Sequence, residues 1–177
     1  KGRWLRFTAA PILDSREQVV GAVETLEDIT DQKTAELERM ESEQRIFSVI
    51  EGSPIASFVI GIDHKVIYWN RALERLSKIP AEEVIGTNQH WRAFYAKERP
   101  CMADLLVFET PEVIPEWYRG VSKSKLLDET YEAEGFFPDL GPGGRWLRFT
   151  AAAIRNSRGG LVGAIETLED ITERKQT

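Results

Sequence analysis

A segment of 29 residues occurs twice in this chain, and this repeat constrains the fold more than any other feature. Residues 2–30 and 144–172 are identical at 22 of 29 aligned positions, with an offset of 142 residues. The repeating unit is far longer than the roughly 20–50 residues of a solenoid repeat, so it predicts tandem domains. We therefore expect the chain to begin inside the last part of one domain, to continue through a complete second copy, and to be a piece of a longer protein.

Composition narrows the class of protein. The net charge is −6, which disfavours direct binding to nucleic acid or to an anionic membrane surface. The sequence contains neither a run of about 20 apolar residues that could span a membrane nor a recognisable signal peptide. Cys101 is the single cysteine, so an internal disulfide is excluded and a reducing compartment is favoured. We expect a cytoplasmic protein.

Each copy of the repeat predicts a β-hairpin. Residues 3–9 and 19–27 mix aromatic and β-branched residues with polar ones, as strands do. Turn-forming residues lie between these two segments, and in the second copy the turn is the stronger sequence Asn156-Ser-Arg-Gly-Gly160. The hairpins are therefore expected at 3–28 and 145–170.

A helix is predicted between the first hairpin and the complete domain. Residues 31–51 contain no glycine or proline, and Thr30 is suited to cap the helix N-terminus. Leu37, Met40, Gln44 and Phe47 recur at a spacing typical of a coiled coil. Two interpretations stay open: the helix pairs with its counterpart in a second chain, or it packs on its own domain.

The rest of the chain predicts an α+β domain. Two strands, several short helices and three further strands follow in that order, which indicates a five-stranded antiparallel sheet with helices on one side. The organisation we expect is a hairpin of a preceding domain, a connecting amphipathic helix, a complete domain and the start of an output helix, over residues 1–30, 31–51, 52–172 and 173–177.

Several motifs in this order resemble the PAS family. A Gly-Ser-Pro-Ile segment at 52–55 follows the helix, and the second strand ends in Ile67-Tyr-Trp-Asn70, where the family has its strand-to-helix asparagine. A short helix ends at Gly86, and the last strand ends in Asp170-Ile-Thr-Glu-Arg-Lys175, like the family's exit into a signalling helix. The same exit occurs at 28–33.

The resemblance covers residues 46–172 as a whole domain and 2–30 as a tail. It implies a non-catalytic sensory or dimerisation module of a bacterial signalling protein, upstream of a histidine kinase or a cyclic-nucleotide enzyme such as a diguanylate cyclase. The implied partners are a second copy of the chain and a small-molecule ligand, and the signal exit is Asp170, Ile171 and Thr172. The alternative is a structural connector that dimerises without a ligand; a third class, an enzyme fragment, lacks any catalytic or phosphate-binding motif.

Neither flavin nor haem is favoured as a cofactor. Flavin-binding light sensors of the PAS family carry Gly-x-Asn-Cys-Arg where this chain has residues 86–90, so Gln89 replaces the nucleophilic cysteine. A haem ligand would have to be His90, because His64 is expected in a surface turn, and a lone histidine is more often structural. Two histidines and one cysteine are also too few for a structural zinc site, so no metal site is predicted.

The most distinctive segment, residues 90–104, concentrates aromatic side chains, two arginines and the cysteine. One interpretation is that it lines a ligand pocket, with Arg92 or Arg99 meeting an anion such as a carboxylate. The other is that the aromatic rings fill the core, that the arginines pair with Glu98 and Asp104, and that the cysteine is a small buried hydrophobe. The candidate pocket residues are His90, Trp91, Arg92, Phe94, Tyr95, Cys101 and Trp117.

Overall fold

A computed structural model describes residues 2–177. The chain divides into two compact units, one extending to Ile46 and the other from Phe47 to Thr177. No helix within residues 2–177 is both long and apolar enough to cross a lipid bilayer. The domain boundaries predicted from the sequence remain a prediction.

The first unit contains a two-stranded antiparallel hairpin, β1 (Leu5–Leu13) and β2 (Val19–Asp28). All residues of both strands are exposed. The helix α1 (Thr30–Gly52) starts directly after the hairpin and continues into the second unit. Thr30 was predicted to cap this helix, but it is the first helical residue, and its hydroxyl donates to Asp28 and accepts from the N–H of Trp4.

The second unit contains the rest of the secondary structure. Its strands are β3 (Ala56–Gly61), β4 (Val66–Trp69), β5 (Ser122–Lys123), β6 (Thr130–Phe137), β7 (Arg145–Arg155) and β8 (Leu161–Asp170). Its α-helices are α2 (Arg71–Ser77), α3 (Ala81–Val84), α4 (Met102–Val107), α5 (Ile114–Trp117) and α6 (Thr172–Gln176). Two short 3-10 helices lie at His90–Ala93 and Pro111–Val113.

The strands form one antiparallel sheet in the order β4-β3-β8-β7-β6-β5. The five predicted strands and the α+β class are confirmed, and the two-residue strand β5 adds a sixth at the edge. The helix α4 packs across the centre of the sheet, against β3, β7 and β8, and all six of its residues are buried. Phe58, Leu147 and Phe149 belong to the same buried core.

Asn70 joins three elements through its side-chain amide. Its Oδ1 accepts from the backbone N–H of Leu73 at 3.0 Å, so it caps α2 as predicted, and it also accepts from Ser57 N–H at 2.9 Å. Its Nδ2 donates to the carbonyls of Ile50 and Ile55. Because Asn70 is fully buried, these bonds compensate its desolvation and fix the end of α1 against the sheet.

The two hairpins share their irregularities as well as their sequence. Both have a register shift at the same place, between Ile12 and Leu13 in the first and between Ile154 and Arg155 in the second. They differ in their surroundings. The second hairpin is enclosed between β3 and β6, whereas the strands of the first pair only with each other.

Gly163, in the second strand of its hairpin, shows how a neighbouring strand restricts the sequence. A Cβ atom at Gly163 would collide with the carbonyl oxygen of Ile60, so the neighbouring strand β3 requires glycine there. At the equivalent residue, Gly21, a Cβ atom would lie 3.8 Å from Cδ1 of Ile12, which is an ordinary contact. The first hairpin therefore has glycine at the position where a closely neighbouring strand would require it.

Candidate functional site

The aromatic side chains of the distinctive segment belong to the domain core. His90 and Ala93 are buried, and Trp91, Phe94 and Tyr95 are partly buried and pack against the core. Trp117 is 44% exposed. The core-packing interpretation therefore holds for most of these residues, although Phe94 and Tyr95 also line a groove described below.

The predicted ion pairs of the two arginines are wrong. Arg92 lies 3.6 Å from Glu83 and donates to Gln89. The guanidinium of Arg99 lies 4.1 Å from the ring centroid of Tyr95 and also faces the rings of Trp117 and Tyr118. The arginines miss the expected acids because Arg99 stacks on aromatic rings and Arg92 points toward the groove.

Asp104, one of the expected partners, lies in a different network. Its Oδ1 is 2.8 Å from Nδ1 of His64, and its Oδ2 is 2.8 Å from Nε2 of His90. Oδ2 also accepts from the backbone N–H of Cys101 at 2.8 Å, where α4 begins. Burial raises the pKa of Asp104, but the hydrogen bonds from His90, His64 and Cys101 outweigh burial and lower it. The carboxylate is therefore ionised, and both imidazoles donate to it.

Cys101 is fully buried, as the core interpretation predicts. Burial and the nearby acids Glu166 and Asp104 raise the pKa of its thiol well above the usual range. A thiol in this state has little thiolate character, which disfavours a role as an exposed redox sensor.

A second buried acid, Glu166, was not among the residues singled out from the sequence. It lies on β8, is 3% exposed, and its Oε2 accepts from the backbone N–H of Ala103 at 3.0 Å. Burial raises its pKa to about 8, with a further contribution from Asp104. The period-two alternation of Ala164, Glu166 and Leu168 was the available signal, because it places the glutamate on the core face.

A groove of about 1100 Å³ opens beside the distinctive segment. Arg92, Phe94 and Tyr95 line it together with residues of α2 and of the loop before β7. Five basic residues and three acidic residues contribute to its lining: Arg71, Arg75, Lys78, Arg92, Arg145, Glu51, Asp139 and Asp170. The groove thus brings Arg92 of the predicted pocket together with Asp170 of the predicted exit; His90, Trp91, Cys101 and Trp117 do not line it.

The segment where the chain leaves the sheet, at the end of β8, is fixed by hydrogen bonds to the start of β7. Asp170 forms an ion pair with Arg145 at 2.7 Å and accepts from the N–H and the hydroxyl of Thr172. Trp146 donates its N–H to Oγ1 of Thr172, and its carbonyl accepts from Ile171 N–H. Partial burial raises the pKa of Asp170, and the bonds from Thr172 and Arg145 lower it by more. The three predicted exit residues thus connect β7 to the start of α6.

With this architecture, the family model for the PAS fold matches residues 50–176. The chain belongs to the PAS fold family. The structure of the PAS domain of BvgS from Bordetella pertussis aligns with a TM-score of 0.51 and 18% identity, over 76% of this chain and 90% of that one. The PAS domain of an HTR-like protein from Haloarcula marismortui aligns with a TM-score of 0.50 and 16% identity, over 78% and 99% of the two chains. No curated protein matches significantly.

The match confirms the resemblance that the sequence motifs indicated. PAS domains are generally regulatory sensor modules rather than catalysts, and identities this low establish the fold alone. Within this PAS domain, Gln89 is exposed and His90 is buried with Nε2 against Asp104.

Proposed function

We propose that the PAS domain is a sensory and dimerisation module of a multidomain signalling protein of the histidine kinase or diguanylate cyclase type, working in the cytoplasm. A small anionic ligand such as a carboxylate binds in the groove, and the change passes through Asp170, Ile171 and Thr172 into the helix that α6 begins. The observation that carries the proposal is Arg145, which lines the groove and pairs with Asp170.

The charges of the groove support an anionic ligand. Two of the three acids that line it already have a basic partner: Glu51 lies 3.6 Å from Arg71, and Asp170 lies 2.7 Å from Arg145. Arg75 and Lys78 form no ion pair within residues 2–177. Guanidinium groups match the geometry of carboxylates, so the groove offers free donors to an anion.

Arg145 provides a route from ligand to exit. An anion that recruits this guanidinium competes with Asp170, which then loses a partner on the groove side while it still accepts from Thr172. A ligand shifts an equilibrium only through contacts that differ between two states. Here the two states differ in whether Arg145 pairs with Asp170 or with the ligand. The consequence is a change in how α6 begins.

Dimerisation through α1 forms the second part of the proposal. Leu37, Met40 and Phe47 are each about half exposed, although the ring of Phe47 also lies 6.0 Å from that of Tyr68. The end of α1 thus packs on its own domain, while Leu37 and Met40 remain available to a second chain. The alternative, a structural connector without a ligand, needs only this helix.

The test is a thermal-shift and NMR titration of the purified chain with a panel of small carboxylates and inorganic phosphate. We expect a member of the panel to raise the melting temperature and to move the amide resonances of Arg145 and Thr172. Arg92→Gln and Arg145→Gln should weaken binding about tenfold or more, whereas Arg148→Gln, on the same strand but not in the groove, should not. If no anion binds, the connector alternative holds.

A further inference from the structure

The buried cluster at the start of α4 contains the donor atoms of a metal site. A ring nitrogen of His90, Sγ of Cys101 and a carboxylate oxygen of Asp104 all lie within 4.8 Å of one another, and all three residues are buried. These residues belong to the core and do not line the groove, so the cluster is separate from the anion site proposed above.

The two ring nitrogens of His90 have different surroundings. Its Nε2 is hydrogen-bonded to Asp104, while Nδ1 is the one buried side-chain nitrogen or oxygen without a partner among the described residues. The side chain is only 2% exposed, and an unpartnered polar atom is unfavourable in such a position. Nδ1 is therefore free to take the ring proton when an ion replaces the hydrogen on Nε2.

We propose that His90, Cys101 and Asp104 bind a divalent transition-metal ion of the Zn²⁺ class. The set combines nitrogen, thiolate sulfur and carboxylate oxygen, which suits Zn²⁺. Mg²⁺ and Ca²⁺ are disfavoured because they prefer oxygen ligands alone. Three protein ligands leave the fourth tetrahedral position open for water or for a small ligand.

The ligand atoms have to rearrange by about 1 Å to hold an ion. Zinc holds its ligands at about 2.0–2.3 Å, which places tetrahedral ligand atoms about 3.3–3.8 Å apart. The widest separation therefore closes by roughly 1 Å, whereas Nε2 of His90 and Oδ2 of Asp104, now 2.8 Å apart, separate by about 0.5–1 Å to admit the ion. Oδ1 of Asp104 remains hydrogen-bonded to Nδ1 of His64 at 2.8 Å. This bond orients the carboxylate, as hydrogen bonds to metal ligands commonly do.

Binding of the metal ion releases one proton. The thiol of Cys101 loses its proton to solvent as the metal–sulfur bond forms, because the thiolate is the ligand. The bound ion replaces the hydrogen between Nε2 of His90 and Asp104, and the ring proton moves to Nδ1. No redox step occurs, and no co-reactant is needed.

The experiment uses the purified, tag-free chain, first treated with chelator and then equilibrated with Co²⁺ or Zn²⁺. Co²⁺ should bind one ion per chain and give the charge-transfer absorption of a cobalt–thiolate bond, which Zn²⁺ should abolish by displacement. At a hundredfold excess over Kd, Zn²⁺ should raise the melting temperature by about 5–10 °C.

Variants locate the ion. Cys101→Ala should abolish the charge-transfer band and the Zn²⁺-dependent rise in melting temperature, and His90→Gln and Asp104→Asn should weaken binding at least tenfold. Asp63→Asn, which removes an exposed carboxylate from the turn of His64, should leave binding unchanged. Circular dichroism checks that each variant is folded, and Cys101→Ala keeps the test decisive where a polar variant unfolds. The proposal is overturned if Co²⁺ gives no thiolate band, or if Cys101→Ala binds Zn²⁺ as tightly as the natural chain.

Discussion

The backbone N–H of Trp146 donates a 3.0 Å hydrogen bond to Oγ1 of Thr172, which closes the exit of the sheet. The first copy of the repeat has the same bond, from Trp4 to Thr30 at 2.9 Å. Each threonine hydroxyl in turn donates to the aspartate two residues earlier. One side chain thus joins the first strand of the hairpin to the turn that starts the following helix.

Thr172→Val should therefore destabilise the PAS domain. The change removes the acceptor for Trp146 and the donor to Asp170, at a cost of about 1 kcal/mol, equivalent to a decrease of roughly 2–4 °C in melting temperature. Thr167→Val, a substitution of the same type within β8, is the control for the loss of a hydroxyl. Differential scanning calorimetry measures both, and equal melting temperatures for the two variants would contradict the role given to Thr172.

The stability of the domain should fall as the pH rises from about 5 to about 8. The pKa of Glu166 is raised from 4.5 in the unfolded chain to about 8, so the folded state holds a proton that the unfolded state has lost. Each pKa unit corresponds to about 1.4 kcal/mol, so the total loss is several kcal/mol.

Glu166→Gln should flatten that pH dependence, because the amide resembles the protonated acid in shape and cannot ionise. Urea denaturation at pH 5, 7 and 8.5 measures the free energy of unfolding. Glu169→Gln, at an exposed position of the same strand, should leave the slope unchanged. A Glu166→Gln protein that still loses several kcal/mol over this range would show that another group titrates.

Replacing both Leu37 and Met40 by lysine should convert a dimer of the chain into a monomer. Both side chains are about half exposed on α1, and charges at these positions would oppose pairing of two apolar stripes. Glu38→Lys, on another face of the helix, controls for the added positive charge. Light scattering gives the mass, and an unchanged dimer in the double variant would place the interface elsewhere.

The purified chain should be colourless. Gln89 occupies the position of the cysteine that forms the flavin adduct in light-sensing relatives, and His90 is buried with Nε2 hydrogen-bonded to Asp104, as expected of a structural histidine. An absorption spectrum of the untreated protein tests this expectation. A stoichiometric Soret or flavin band would refute it.

Residues 3–28 should pair with another chain, either in the place of 145–170 or along an exposed sheet edge. Phe7 and Leu26 are 68% and 64% exposed, whereas their equivalents Phe149 and Leu168 are 4% and 3% exposed. Two isolated strands are marginal in water, and exchange of a near-identical element is a low-cost route to an oligomer. Amide hydrogen exchange measures the outcome; exchange throughout 3–28 at the rate of an unfolded peptide would show that the hairpin has found no partner.

The sequence predicted the fold well because its signals are local. The alternating strands of the repeat, the asparagine cap at position 70 and the burial of Cys101 each follow from near neighbours in the chain and from residue type. The network around Asp104 was missed because His64 lies 40 residues away, and only the packing of α4 against the sheet brings the two together. Glu166 was missed although the alternation of β8 indicated its direction, because a glutamate is rarely fully buried in a folded protein.

The two near-identical hairpins give the molecule an internal reference. Trp4 and Trp146 occupy equivalent positions in the same local sequence, and they differ mainly in what surrounds the hairpin. Glu17 and Gly159 likewise share a left-handed backbone conformation, with φ of 60° and 80°. A difference in dynamics or spectroscopy between Trp4 and Trp146 therefore reports chiefly the effect of enclosure within a domain, measured in one sample at a single temperature and in a single solvent.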